Sequence, residues 1–232
     1  MADKVYVTKN KLTAVADAIR TKSGTSAALT LDQMPAVVNA IPSGGGGGED
    51  LSAVLDGSIK NLTNNDAKMI KKYIFRDCSI ESVSMPNVTR IRDDAFSQCS
   101  RLTSVNFPAC TQLDNNVFYQ CSSLVSAAFP SLRQVSRDTF GYCHKLETLD
   151  IGQCSLIYDY AFEYCDGLSA LIIRKTDGVC TLSGSQAFNG STIKKGTGYI
   201  YVPDSLVSAY AQASNWSAVA SQIKGLSELP TT

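Results

Sequence analysis

The sequence predicts an α/β repeat solenoid, with a small helical segment before it and a helical cap after it. Three observations carry this. Phenylalanine returns as Phe75, Phe96, Phe118, Phe140, Phe162 and Phe188, at intervals of 21, 22, 22, 22 and 26 residues. Three positions after it stands a cysteine (Cys78, Cys99, Cys121, Cys143, Cys165), followed by an aliphatic residue (Ile80, Leu102, Leu124, Leu146, Leu168). Each copy then turns to strand-like alternation of apolar and polar positions.

Composition narrows the function classes. The chain of 232 residues is 44% hydrophobic, enough to fill a core. Lysine plus arginine equals aspartate plus glutamate at 21 each, so no net field draws the chain to nucleic acid or anionic lipid. The opening MADKVYVTKNKL has no apolar signal region, and no run approaches the roughly 18 apolar residues of a membrane span. The expectation is a chain without a signal peptide, made in the cytoplasm, with no membrane insertion and no nucleic-acid partner.

In chain order, residues 1–42 form the first segment. Leu12, Val15 and Ile19 share one helical stripe with Gly24 past its end. A shorter helix follows, carrying Met34, Val38 and Ile41, with Pro35 in its first turn and Pro42 at its end. Two short helices in so few residues are at the lower limit of what folds alone, so these six apolar residues are candidates for attachment to another protein. Residues 43–50 are a glycine-rich linker with a reach of roughly 12–15 Å.

Residues 51–203 are the solenoid, beginning with a degenerate capping copy at 57–75. The pairs Val83/Met85, Val105/Phe107, Ala127/Phe129, Leu149/Ile151 and Leu171/Ile173 give one short strand per repeat with one face inward. Pro86, Pro108 and Pro130 end three of these strands, and Gly152 the fourth. Five residues before each Phe stands Ile70, Ile91, Leu113, Val135 or Ile157, and the stretch between reads as a capped turn entering one helical turn. One repeat cannot bury its apolar edge alone, so equal offsets stack into a shared core, Phe on Phe and Cys on Cys. A second column, Val88, Cys110, Leu132, Cys154 and Cys180, lies eight residues before the Phe. In-register stacking spaces equivalent Cβ atoms by ~4.8 Å with parallel vectors, which suits reduced core thiols rather than disulfides. The expansion between Ile173 and Cys180 implies a local loop. Residues 204–232 are the cap, with Leu206, Val207, Tyr210, Trp216, Val219 and Ile223 at helical spacing and Gly225 as the stop.

The copies resemble the BspA-like class of leucine-rich repeats, of the form I-x-x-x-A-F-x-x-C-x-x-L-x-x-V-x-φ-P, over about residues 55–203, with departures at Val117, Thr139 and Gly152. The resemblance implies a leucine-rich-repeat-like solenoid. The opening stretch resembles segments that precede such repeats in tail-associated proteins of phages and prophages of gut Gram-positive bacteria. That likeness implies a non-enzymatic adhesion or receptor-binding component of a virion tail, assembled in the host cytoplasm. Its partners would be a host surface protein or glycan and, through residues 1–41, other tail or baseplate proteins, in a possible homotrimer. A bacterial cell-surface adhesin and a structural spacer are the other readings.

The residues offer no catalytic constellation. His144 is the single histidine and falls in an inter-repeat turn. No nucleophile pairs with a second histidine, the glycine run fits no phosphate-binding motif, and no cofactor or metal is implied. The candidate ligand surface is the outward strand face at its C-terminal third, Asp150, Ile172, Tyr199 and Tyr201, together with the turn tyrosines Tyr142 and Tyr164.

Overall fold

In the computed structural model, which describes residues 60–230, the chain winds into stacked coils that repeat two parallel ladders. The first ladder holds the predicted strands. These are β1 (Asn61–Thr63), β3 (Ser82–Ser84), β5 (Ser104–Asn106), β7 (Ser126–Ala128), β9 (Thr148–Asp150), β11 (Ala170–Ile172), β13 (Tyr199–Val202) and β14 (Ile223–Gly225). They pair in parallel as β1-β3-β5 and β7-β9-β11-β13-β14, with Val83 opposite Val105 and Leu149 opposite Leu171. Strand rungs therefore match residues one repeat apart, as the sequence period requires.

A second ladder was not expected. It consists of the two-residue strands β2 (Met69–Ile70), β4 (Arg90–Ile91), β6 (Gln112–Leu113), β8 (Gln134–Val135), β10 (Leu156–Ile157) and β12 (Thr181–Leu182), all parallel. Each carries the aliphatic residue that precedes Phe by five, or by six in β12, buried on its inner side. The prediction of one strand per repeat is corrected to two.

The expected helical turn at A-F-x-x-C is also absent. Two residues four apart in each of these segments take left-handed backbone: Asp94 and Gln98, Asn116 and Gln120, Asp138 and Tyr142, Tyr160 and Tyr164. Left-handed residues cannot continue a right-handed helix. Their alternation turns every second N–H toward the next coil: Asp94 N donates to Asn115 O at 3.0 Å, Phe96 N to Val117 O at 2.9 Å and Gln98 N to Tyr119 O at 2.7 Å. The remaining amides close tight turns, as Cys99 N does on Phe96 O at 3.1 Å. Coil-to-coil bonds have replaced the helical i to i−4 ladder, so these buried amides are still satisfied.

The core is a column of rings. Phe75, Phe96, Phe118, Phe140, Phe162 and Phe188 stack successively with centroids 5.2, 5.5, 5.5, 6.0 and 5.5 Å apart and planes within 17°. Phe107 and Phe129 form a shorter parallel column 6.4 Å apart, tilted against the first. All eight cysteines are buried thiols. In four successive coils the thiol donates to the Phe carbonyl of the coil before: Cys99 to Phe75 O at 2.9 Å, Cys121 to Phe96 O at 3.2 Å, and Cys143 to Phe118 O and Cys165 to Phe140 O at 3.1 Å. Among the departures from the repeat, Val117 is buried with the core, and buried Thr139 satisfies its hydroxyl on Asp114 O and Ser136 O.

The expansion after Ile173 appears as a loop without strand structure over residues 174–180, and β11 then pairs with β13 across a coil that also holds α1 (Thr192–Lys195). The C-terminal cap contains α2 (Val207–Gln212) and 3₁₀ turns at Asp204–Leu206, Trp216–Gln222 and Leu226–Glu228. Trp216 closes the phenylalanine column, 5.9 Å from Phe188, and Tyr210 meets it edge-on at 5.0 Å. The predicted helices, the linker and the attachment residues Leu12, Val15, Ile19, Met34, Val38 and Ile41 lie outside the described residues.

Candidate functional site

The outward face of the long ladder is small and polar in its first coils. Ser82 donates to Asn61 Oδ1 at 2.6 Å and Asn106 Nδ2 to Ser84 Oγ at 3.0 Å. Its C-terminal third is not the open aromatic face that the sequence suggests. Ile172 and Tyr201 are 4% exposed, and together with Ala170 they form a second apolar cluster under Leu226 and Leu229. The final 3₁₀ turn brings those leucines back over the sheet, because apolar side chains in water gain by covering one another. Tyr199 sits at the margin of this cluster with Lys224 Nζ 4.1 Å from its ring centroid. Asp150 is engaged within the protein, accepting from Arg174 Nε at 2.6 Å and from Gly152 N at 2.9 Å. Ile172 and Tyr201 are thus corrected from a displayed surface to a covered one.

The turn column behaves differently. Tyr142 and Tyr164 lie 5.0 Å apart, and Tyr119, one residue before Gln120 in the preceding coil, meets Tyr142 edge-on at 5.4 Å. These rings make a continuous ridge outside the core, with Tyr164 39% exposed. Glycines leave room for the rings: a Cβ on Gly190 would come within 2.6 Å of the Tyr164 ring, and one on Gly141 within 3.1 Å of Tyr119. Tyr142 and Tyr164 hold φ of 59° and 50°, where Gln98 and Gln120 stand in the coils before. A bulky side chain in that region costs on the order of 1–2 kcal/mol.

Charged groups rim the ridge. Glu163 accepts from Asn189 Nδ2 at 2.9 Å, Arg137 pairs with Asp138 at 3.2 Å, and the Arg137 guanidinium lies 4.4 Å from the centre of the Tyr160 ring. Burial, then the neighbouring Asp138 and Glu163 carboxylates, push the Tyr119 hydroxyl above its ordinary pKa. Burial likewise raises Asp138, Arg137 opposes it, and Glu163 adds to it. The Tyr119 hydroxyl therefore stays neutral through the physiological range. Tyr119 and Glu163 were missed by sequence reasoning; Tyr119 could have been found by extending the turn column one residue toward the Phe.

His144 is a solvent-facing turn residue, its Nδ1 3.0 Å from Asp166, which Lys195 also holds at 2.7 Å. The Lys195 ammonium, more than His144, lowers the Asp166 pKa. Among the described residues no group of three or more His, Cys, Asp or Glu side chains could hold a metal ion, and no helix is long and apolar enough to cross a membrane. Burial pushes the Cys110 and Cys143 thiols up to about 12 and raises Cys99, Cys121 and Cys165 well above their usual value. Such thiols are poor nucleophiles.

Comparison with known proteins supplies the family. The model of the BspA type leucine rich repeat region matches residues 68–195 in 6 copies. A leucine rich cell surface protein of Faecalibacterium prausnitzii is similar at 24% identity and a TM-score of 0.54, over 62% of this chain and 38% of that one. The leucine rich repeat protein of T. pallidum shares 22% identity at a TM-score of 0.47, over 50% of this chain and 59% of its own. This chain thus spans less than two thirds of either relative. No curated protein matches it.

Proposed function

The chain belongs to the BspA-type leucine-rich repeat family, and from that premise we propose that it is a non-enzymatic recognition module whose tyrosine ridge meets a protein on another surface. One observation carries the reading: Tyr119, Tyr142 and Tyr164 touch in series outside the core, the last two on left-handed backbone where earlier coils use glutamine. Gln98 and Gln120 hold the same left-handed turn position in the earlier coils, so the turn itself does not require an aromatic side chain there. Contiguous tyrosines rimmed by arginine and carboxylates are the makeup of a protein interface centre.

The test is binding of labelled protein to intact cells, with and without protease treatment of their surface. Tyr142→Ala combined with Tyr164→Ala is expected to weaken that binding by roughly tenfold or more. Alanine keeps the Cβ and with it the cost of the left-handed backbone, so the double variant loses only the ring stacking, about 1–3 kcal/mol, and should melt earlier while still folding cooperatively. Unchanged binding by the folded double variant sinks the assignment.

Two vehicles for display have support. The Faecalibacterium relative is a cell surface protein, which favours a bacterial cell-surface adhesin. The resemblance of residues 1–42 to segments of tail-associated proteins favours a phage or prophage tail, with Leu12, Val15, Ile19, Met34, Val38 and Ile41 as attachment residues. Fractionation after prophage induction separates them, since the tail reading requires the protein in purified particles. Light scattering adds a second criterion: a stable trimer fits a tail spike and a monomer fits a surface repeat.

A further inference from the structure

A second surface, apart from the tyrosine ridge, runs along the outer side of the two-residue strands. It is a groove of about 390 Å³. Its charged lining residues are Arg90, Arg92, Asp93 and Asp114, two of each sign, so its walls carry no net charge. Both arginines pair with Asp114, and Asp93 is held by a neutral amide. Asp114 receives Arg90 Nε and Nη2 at 3.1 and 3.0 Å, stands 3.0 Å from Arg92 Nε and accepts Gln112 Nε2 at 3.0 Å. Asp93 accepts from Asn115 Nδ2 at 3.3 Å.

What the protein leaves open to a ligand mixes hydrogen-bond acceptors and donors on walls that carry no net charge. The Gln112 and Gln134 amides each give their N–H₂ to a neighbour, Asp114 and Ser136, which leaves their carbonyl oxygens as acceptors. The Arg92 terminal nitrogens remain as donors. Beside them Tyr158, 38% exposed, is the single aromatic residue that lines the groove. The groove holds no aliphatic side chain for an apolar ligand and no surplus charge for an ion.

Gln112 and Gln134 are direct partners across the parallel ladder. Equivalent positions therefore recur every ~4.8 Å along the axis. A linear polyhydroxylated chain advances by a similar step, presents donor and acceptor in each hydroxyl, and has ring C–H faces that lie on an aromatic platform. We propose that this groove binds a neutral glycan chain along the solenoid axis, with Tyr158 beneath a sugar ring and Arg92, Gln112 and Gln134 engaging its hydroxyls.

The experiment is titration calorimetry of the full chain with neutral oligomers of glucose, mannose, galactose and N-acetylglucosamine, beside carboxylated and sulfated oligosaccharides. The expected result is binding of a neutral oligomer that is insensitive to added salt. That binding should weaken by about tenfold or more in Tyr158→Ala and in Gln134→Ala. Tyr158 is exposed and Gln134 half-buried, and unchanged far-UV spectra and melts would show that the variants fold. Tyr142→Ala with Tyr164→Ala should leave glycan binding intact, which keeps this test separate from that of the ridge. Absence of binding across the neutral oligomers, binding unaffected by both groove variants, or salt-sensitive binding of the anionic oligosaccharides alone would each overturn the proposal.

Discussion

At the scale of single residues the cysteine column shows why this position takes neither a larger aliphatic nor alanine. Each thiol of the middle coils is small enough to be fully buried in the core and still donates to a Phe carbonyl one coil back, which already accepts the backbone N–H of its own coil. Cys121→Ala removes that donor and leaves a void, and should cost about 1–2 kcal/mol in urea denaturation. The thiols also set an alkaline limit. Cys110 and Cys143 titrate near 9.0 when unfolded and at about 12 when folded, so the folded chain holds protons that the unfolded chain has released. Their stabilisation is complete below pH 9 and falls as pH rises from about 9 to about 12, by about 1.4 kcal/mol per pH unit for each thiol. Chemical denaturation across that range checks the slope, and native-state thiol labelling at pH 8 should find no reactive cysteine. Gly152 is a different case. It stands where other coils have proline, yet its φ is +49°, and a Cβ would lie 2.3 Å from the Pro130 carbonyl oxygen. Restoring the repeat with Gly152→Pro should therefore destabilise by about 3 kcal/mol, since proline fixes φ near −65° and removes the N–H that Asp150 accepts.

At the scale of elements, the cap is the part whose chemistry is most specific. Tyr210 Oη accepts from Cys180 N at 2.9 Å, and Trp216 Nε1 donates to Cys180 O at 2.7 Å, so two aromatics satisfy both backbone groups of one buried residue. Tyr210→Phe keeps the ring but orphans the Cys180 N–H, at an expected cost of about 1–3 kcal/mol. Trp216→Ala opens the end of the phenylalanine column and should cost about 3–5 kcal/mol. A thermal melt of the two variants ranks them, and a cost for Tyr210→Phe as large as that for Trp216→Ala would contradict this division. The turn segments make a complementary point. Their left-handed residues give up intra-segment helix for bonds to the next coil, so each is stable only with a neighbour present.

At the scale of the whole molecule, stability is a sum over coils and the contacts between them. The first described coil, with Met69 and Tyr73 exposed, should exchange its amides fastest, and the coils around Phe118 and Phe140 slowest. Truncation before Asp204 would uncover Tyr201, Ile172 and the β13 edge together, and should yield an aggregating protein in light scattering. By itself the sequence determined which residues point inward. Phe96, Cys99, Leu102 and Val105 recur one coil later because each must meet its own equivalent, and that rule is written within a single 22-residue period. It could not reveal strands only two residues long, which are too brief to show an alternation, nor the preference of the turns for bonds between coils over a helix. Nor could it decide which outward residues meet water. Tyr201 and Ile172 follow the same outward pattern as Ser84 and Asn106, yet Leu226 and Leu229 return from the cap to cover them, while Tyr142 and Tyr164 meet each other and, through Tyr142, Tyr119 of the coil before. Inward position is fixed by a residue's place in its own coil. Exposure is fixed by what distant segments do to that coil, and only the tertiary structure holds that information.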